Sequence, residues 1–387
     1  MKARLALGFV SLMGLVSLFA DLTYEGARGI TGPYLAVLGA SALAVGFASG
    51  FGEFVGYALR LASGWLADRT RSYWTFTFLG YSINLAAVPL LAFTHRWEWA
   101  VALLVAERFG KAIRTPARDA LLSRATAVMG HGKGFGLHEL LDQIGAVAGP
   151  LAVAAVLAKG WGFPAAFLLL AAPALAALAT LFASRLLWNQ APTDVAIPAQ
   201  TGDGPHSLPS GFRWLLLFVA LHVAGFAHFQ LIAYHLETHK VLETPVIPLL
   251  FALAMLVDGV LALPAGWLFD RVGLRGLGLA PVLAAPVALL AFSSQPWAAV
   301  VGVGLWGAAM GLQETTFKAA IAHAVPSGRR GTAFGVFHGV YGAAWFLGSL
   351  ALSALYAQGI WPLVVFTLIA QVAALVTLPR MLAKFKT

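Results

Sequence analysis

Asp21, Glu25 and Arg28 stand at i, i+4 and i+7 inside the first long apolar run of this sequence. On a helix that spacing puts two carboxylates and a guanidinium on one face. Glu53 and Arg60, seven apart, do the same in the second run. In the fourth, Glu107, Lys111, Arg114 and Arg118 form a stripe at i, i+4, i+7 and i+11, flanked by Arg108, Thr115 and Asp119. His138, Glu139 and Asp142 follow in the fifth. A carboxylate beside a cation in a poorly solvated place is suited to carrying a proton. Burial disfavours its ionised form and the cation favours it, so a movement that changes either influence loads or unloads the proton. Asp21 and Glu25 with Arg28 are the first candidates for that role, then Glu53, then Glu107 beside Arg108. Arg28, Arg108, Lys111, Arg114 and Asp142 are candidate charge partners or substrate contacts. No metal site is expected, because a cation site has no use for Arg28, Arg108 and Lys111 at its edge.

The composition says where these charges sit. The chain is 60% hydrophobic and 11% charged, with a mean hydropathy of +0.81, whereas an ordinary soluble domain is about 25% charged. The expected solvent is the lipid bilayer. An Asp, Lys or Arg at the centre of a membrane helix costs roughly 2.5–3.5 kcal/mol on insertion scales, so charges spaced in stripes are not expected to be accidental. There is no cysteine, which excludes disulfides and thiolate metal sites. A cleavable signal peptide is not expected, because the first apolar run is too long and continues through charged residues into Pro33. The net charge of +9 is read as basic loops on one side of a membrane. Nucleic acid is not an expected partner, since the basic residues do not form one soluble face.

Twelve segments are long and apolar enough to cross a bilayer, roughly 6–36, 41–67, 74–93, 97–123, 134–158, 163–187, 212–238, 245–269, 275–294, 297–324, 331–357 and 361–381. Residues 189–211 contain Pro192, Pro198, Pro205 and Pro209 with no apolar period, and read as a cytoplasmic linker. The expected domains are therefore 1–188, a six-helix bundle, and 212–387, a second one. With the N-terminus in the cytoplasm, 15 of the 25 lysines and arginines fall in cytoplasmic segments, 3 in outer loops and 7 in spans. That asymmetry places both termini and the linker on the cytoplasmic side.

The second half is poorer in charge. Span 8 has Asp258, and span 10 has Glu314 and Lys318 one turn apart. Span 7 offers His222, His228, Gln230 and His235, with His222 at an offset of 201 from Asp21. Phe226, Phe229, Trp306, Phe337, Tyr341 and Trp345 are candidates for an apolar wall. Glu25–Arg28, Glu107–Lys111 and Glu314–Lys318 are also candidates for structural ion pairs.

Gly64-Trp65-Leu66-Ala67-Asp68-Arg69 returns as Gly266-Trp267-Leu268-Phe269-Asp270-Arg271, at an offset of 202. Phe135, Gly136 and Gly149 return as Phe334, Gly335 and Gly348, at an offset of 199. Two echoes in the same order indicate one ancestral half, duplicated. Gly64 to Arg69, with Arg71, resembles the signature between helices 2 and 3 of the major facilitator superfamily, although Thr70 and Ser72 flank Arg71 where Gly and a basic residue are commoner. Gly266 to Arg271, followed by Gly273 and Arg275, resembles its counterpart between helices 8 and 9. The resemblance runs the length of the chain. It implies an all-α membrane protein of 12 transmembrane helices in two pseudo-symmetric six-helix bundles. It also implies that these two loops latch the halves when the protein is open outward. Gly145, Gly149 and Pro150 resemble the glycine-proline motif of the superfamily's drug/proton antiporters. Arg108 is the nearest match to the family's membrane-embedded arginine in helix 4, but Gly110 follows it sooner than the family spacing.

The expected function is that of a proton-coupled secondary transporter working by alternating access. Export of small amphiphilic organic molecules, a multidrug type of efflux, comes first. Transport of organic anions or metabolites through the basic residues of spans 1 and 4 is the alternative, and divalent-metal export comes third. No enzyme motif is present. The expected partners are lipid, a small-molecule substrate and protons, with no cofactor beyond the proton gradient. A monomer in a bacterial inner (plasma) membrane is the expected setting.

Overall fold

The computed structural model describes residues 3–129, 131–188, 209–325 and 330–385, so most of the expected linker at 189–211 lies outside the described residues. Every element among them is helical. Apolar residues dominate these helices, and a backbone in lipid must satisfy its own polar groups. In the first half the chain forms α1 (Ala3–Val37), α2 (Ala42–Thr70), α3 (Tyr73–Leu90), α4 (Trp97–Met129), α5 (His131–Ala158), α6 (Gly162–Leu169) and α7 (Ala171–Trp188). In the second it forms α8 (Ser210–Ala224), α9 (Phe229–Thr238), α10 (Val246–Val272), α11 (Leu279–Ala284), α12 (Val287–Ala291), α13 (Pro296–Ala324), α14 (Arg330–Gln358) and α15 (Ile360–Lys384). Among the described residues nine helical stretches are long and apolar enough to cross a membrane. α4 is not one of them, because Glu107, Arg108, Lys111, Arg114, Arg118 and Asp119 interrupt its apolar sequence.

Three expected spans are broken. The sixth divides at Leu170 into α6 and α7. The seventh divides at Gly225–His228 into α8 and α9, and side chains there take up freed backbone groups: the Leu231 N–H donates to His228 Nδ1 at 3.1 Å, and Trp306 Nε1 donates to the Ala227 carbonyl at 2.7 Å. The ninth becomes a 3₁₀ turn at Gly273–Gly278 followed by the short α11 and α12, in a segment carrying Pro281 and Pro286.

Two compact units result: Met1–Gly39 with Ala58–Ala199 and Thr244–Ala252, and Ala40–Tyr57 with Gln200–Glu243 and Leu253–Thr387. This division differs from a cut at the linker, because the N-terminal part of α2 groups with the second unit and the start of α10 with the first. Within the second unit Phe51 and Phe54 of α2 lie 5.7 and 6.0 Å from the ring of Phe346 on α14. Gly50 lies so close to α14 that a Cβ there would reach Phe346 Cα at 3.1 Å. Within the first unit Gly29 of α1 faces Phe251 and Pro248 of α10.

The first unit is organised by two close helix crossings. On α5, a Cβ at Gly149 would come within 2.9 Å of the Gly26 nitrogen on α1. On α3, a Cβ at Gly80 would come within 2.6 Å of Arg114 Cβ on α4. Only small residues let backbones approach this closely. The second unit repeats the first crossing: a Cβ at Gly348 on α14 would reach Ala224 Cα on α8 at 2.5 Å. A methyl group at Gly149 is therefore expected to be destabilising by about 1–3 kcal/mol, the usual range for overpacking. Gly56, where a Cβ would meet nothing within 4 Å, is expected to accept alanine with unchanged or slightly higher stability. Thermal unfolding of detergent-purified Gly149→Ala and Gly56→Ala checks both, and a Gly149→Ala protein that melts with the wild type would refute the tight crossing.

Candidate functional site

The α1–α5 and α3–α4 crossings gather four helices of the first unit around one group of buried charges. From α1 come Asp21, Tyr24, Glu25 and Arg28. The Tyr24 hydroxyl donates to Asp21 Oδ1 across one turn, and Arg28 Nη1 pairs with Glu25 Oε1 at 3.4 Å. α4 contributes Lys111 and Arg114 on the same side. The Lys111 ammonium sits 4.0 Å from the centre of the Tyr24 ring. The Arg114 guanidinium lies 5.7 Å from that ring and 4.2 Å from Tyr81 of α3. Both cations therefore face the negative side of an aromatic quadrupole, which attracts them without supplying a formal charge. Asp142 of α5 completes the group, acting electrostatically on Asp21 and on Arg118.

The same stripe of α4 carries two further pairs. Both carboxylate oxygens of Glu107 are engaged: Asn84 of α3 donates to Oε1 at 2.6 Å, and Arg108 Nε meets Oε2 at 3.1 Å. This corrects the expected Glu107–Lys111 pair, which does not form, because Lys111 turns to Tyr24 instead. Arg118 holds Asp119 Oδ1 at 2.8 Å and donates to Ser17 Oγ on α1 at 3.2 Å. Ser17 in turn bonds His138 Nε2 of α5 at 2.9 Å. Glu139, the next residue, is exposed.

Hydrogen bonding in this group is incomplete. Arg114 is only 1% exposed, yet its Nε and Nη1 have no hydrogen-bond partner among the described residues. Glu25 Oε2, Asp142 Oδ1, Asn84 Oδ1 and the Tyr81 hydroxyl are in the same condition. A buried donor or acceptor left unsatisfied costs about 1–3 kcal/mol, and the cost is tolerated where function requires the group. Among these, Arg114 offers the most: a planar fork of donors matched to an anionic oxygen pair.

The second unit is built differently. His222 is fully buried and its two ring nitrogens meet Gln371 Oε1 at 2.6 Å and Gln313 Oε1 at 3.0 Å. Gln371 also donates to the His222 carbonyl at 3.0 Å. Phe226 and Phe317 flank the imidazole, and Trp306 stacks on Phe226 at 5.8 Å. Trp345 is buried against Tyr341 and Phe226, and Gln230 is buried in α9. Asp258 of α10 lies at the α10–α13 crossing, beside Gly311. Glu314 and Lys318 are both exposed, and no ion pair joins them, which corrects the pair expected from their spacing: each side chain reaches solvent-accessible surface of α13 instead. Glu53 is half-buried in the part of α2 that belongs to the second unit.

Both copies of the repeated loop show the same local contact. Arg69 lies over the Trp65 ring at 5.2 Å and Arg271 over Trp267 at 3.7 Å. In the first copy Asp68 accepts the Tyr73 hydroxyl at 2.9 Å, Arg124 lies over the Tyr73 ring at 4.8 Å, and Gly64 packs near Pro116 of α4. Arg71 adopts a left-handed conformation, with φ of 53°, and Asp270 is exposed. Gly145 and Gly149 lie in the α1–α5 crossing, with buried Pro150 next in line on α5.

The uncharged members of the sites bear no charge whose spacing would mark them in the sequence. Tyr24, Tyr81, Asn84, Ser17, Gln313 and Gln371 are the residues missed. Tyr24 stands three residues after Asp21, which is the one spacing signal that pointed to any of them.

Comparison with known proteins agrees with this architecture. An uncharacterized protein of Mycobacterium tuberculosis is 42% identical over 378 residues, spanning 95% of this chain and 91% of the relative. An uncharacterized MFS-type transporter of Methanocaldococcus jannaschii is 26% identical over 358 residues, spanning 90% of this chain and 88% of the relative. Among solved structures, the nucleoside transporter NupG superposes with a TM-score of 0.73 at 14% identity, covering 98% of this chain and 99% of that one. A peptide transporter POT in complex with sulfate gives 0.74 at 16% identity, covering 97% and 94%. At such identities the structural likeness establishes the fold alone. The family model of the Major Facilitator Superfamily matches residues 13–273 and 231–386, and with it this multi-pass membrane chain belongs to that superfamily of transporters.

Proposed function

We propose that this transporter is a proton-coupled secondary carrier of small organic molecules. It works by alternating access of two six-helix bundles, with both termini in the cytoplasm of a bacterial cell and its inner membrane as the site of action. The observation that carries the coupling is Asp21. It is buried, accepts a hydrogen bond from Tyr24, and has Asp142, Lys111 and Glu25 within electrostatic range. A carboxylate poised between like and unlike charges on other helices changes its protonation when any of those helices moves. Glu25, Glu53 and Glu107 are the further acids of this proposal, with Glu107 the most firmly held of them by Asn84 and Arg108.

Two substrate readings have support in particular residues. Export of amphiphilic molecules in exchange for protons, as by a drug/proton antiporter, draws on the Gly145–Pro150 motif and on the aromatic side chains around His222, Phe226 and Trp345. Transport of organic anions draws on buried Arg114, which has two unpartnered donor nitrogens among the described residues, and on half-buried Lys111 one turn before it. Gly64, Asp68, Arg69 and Arg71 with Gly266, Asp270 and Arg271 are the gating loops in either reading.

In proteoliposomes carrying an internal pH dye, addition of a transported substrate is expected to move protons across the membrane. A protonophore is expected to abolish gradient-driven accumulation. Asp21→Asn should hold accumulation at the level reached without a gradient while leaving passive exchange intact. Accumulation that survives collapse of the gradient would refute proton coupling. Asp68→Asn, which weakens the acceptor of the Tyr73 hydroxyl, is expected to slow transport while retaining substrate binding, a separation that stopped-flow uptake beside equilibrium binding would measure.

A further inference from the structure

Five carboxylates face five cations in the first unit. Asp21, Glu25, Glu107, Asp119 and Asp142 are set against Arg28, Arg108, Lys111, Arg114 and Arg118, linked by ion pairs and by electrostatic contact across α1, α4 and α5. With every acid ionised the group is electrically neutral. Three of the acids pair with an arginine on their own helix: Glu25 with Arg28, Glu107 with Arg108, and Asp119 with Arg118. The remainder is Asp21 and Asp142 against Lys111 and Arg114. Among the described residues none of these four has an ion-pair partner within 4.0 Å, and Arg114, 1% exposed, has two nitrogens without a hydrogen bond.

An anion that approached Arg114 and Lys111 would upset this balance. It would give the group a net negative charge in a region where uncompensated charge is costly. A proton arriving with the anion removes that cost. Asp21 is the acid placed to take it. Asp142 of α5 and Glu25 of α1 repel its charge, Lys111 and Arg114 of α4 attract it, and an anion on those two cations would cancel the attraction. His138 of α5, which faces Arg118, Asp142 and Arg114, is the other titratable group nearby, and its Nε2 is taken up by Ser17.

We propose that Arg114 and Lys111 form the binding site for a single anionic group on the substrate, a carboxylate or sulfonate beside an aromatic or apolar body, and that this anion and a proton on Asp21 enter the site together. The inference rests on the proton-coupled reading above and selects its organic-anion branch, since an anion and a proton that bind together travel in the same direction. The Tyr24 and Tyr81 rings flank the Arg114 guanidinium at 5.7 and 4.2 Å and hold it in place without neutralising it. The step moves one proton from water onto a carboxylate, with no covalent bond made or broken within the substrate.

The test uses benzenesulfonate, which stays ionised throughout, and benzylammonium, its cationic counterpart of similar size. Calorimetric titration of the purified protein between pH 5.5 and 8, in buffers of differing ionisation enthalpy, reads both affinity and protons taken up. Benzenesulfonate is expected to bind with uptake of one proton, its affinity falling about tenfold per pH unit on the alkaline side, and benzylammonium is expected not to bind. Asp21→Asn, which mimics the protonated acid, should bind benzenesulfonate at pH 8 as the wild type does at pH 5.5, with no proton uptake. Arg114→Gln should abolish binding and Arg114→Lys should keep part of it. If Arg114→Gln does not fold, the Asp21→Asn profile decides by itself. A flat pH profile in the wild type, an unchanged slope in Asp21→Asn, or binding of benzylammonium in place of the sulfonate would overturn the proposal. Proton-driven transport of a cationic or neutral substrate alongside a flat sulfonate profile would sink this inference alone. Proton-linked sulfonate binding without gradient-driven transport would sink the coupled-carrier reading alone.

Discussion

A half-buried lysine and a buried arginine one turn apart do not stay in a membrane helix unless something nearby answers their charge, and the first unit is arranged around that requirement at Lys111 and Arg114. Two kinds of answer are present. Carboxylates on α1 supply opposite charge across the helix gap, and the faces of Tyr24 and Tyr81 supply an attraction that adds no charge of its own. Neither answer works at a distance. α1 must approach α5, and α3 must approach α4, more closely than side chains of ordinary size permit, which is why Gly26, Gly80, Gly145 and Gly149 stand at the crossings. Packing and electrostatics are one design here: the small residues set the separations at which the charges compensate one another.

The duplicated architecture makes the same point by contrast. Gly149 on α5 and Gly348 on α14 occupy matching crossings in the two units, against α1 and α8 respectively. The scaffolding contact has been kept while the chemistry above it has diverged. Where α1 has Asp21 with a tyrosine hydroxyl, α8 has His222 clasped by two glutamine oxygens and flanked by phenylalanine. The two solutions differ in kind. Charge in the first unit is compensated by other charge, and polarity in the second is compensated by neutral amides within an apolar shell.

How much of this the sequence discloses depends on the type of signal. Long apolar runs, the echo of Gly64 to Arg69 at Gly266 to Arg271, and the spacing of Asp21, Glu25, Lys111 and Arg114 are visible in one dimension, because each depends on helix periodicity alone. Breaks in helices are less visible. The interruption at Gly225–His228 depends on Trp306, far away in the chain, taking up the Ala227 carbonyl. Partner choice is the least visible of all. Spacing puts Glu107 and Lys111 within reach of each other, but Asn84 and Arg108 win the carboxylate and Tyr24 wins the ammonium. In each case a residue from another helix, or an adjacent one with a better angle, outcompetes the partner one turn away, and periodicity does not encode that competition. Glu314 and Lys318 fail for the simpler reason that both are exposed, where a pair is worth about 0–1 kcal/mol and side-chain freedom prevails.

The distribution of pairs has a consequence for movement. Glu25–Arg28, Glu107–Arg108 and Arg118–Asp119 each lie within one helix, so they travel as units and remain paired when a helix tilts or shifts. Two of these pairs are also tied to other helices, Arg118 through Ser17 of α1 and Glu107 through Asn84 of α3. Asp21, Asp142, Lys111 and Arg114 are compensated only across helices, so a displacement of α4 against α1 and α5 alters their mutual energies directly. Coulomb energy scales inversely with separation and rises as the local dielectric falls, which makes a small shift at this depth count for more than the same shift at a surface. A carrier that must exchange protonation for conformation needs some charges whose balance depends on helix position and others that do not. Arg114, a cation with unsatisfied hydrogen-bond donors among the described residues, is one of the charges whose balance depends on helix position.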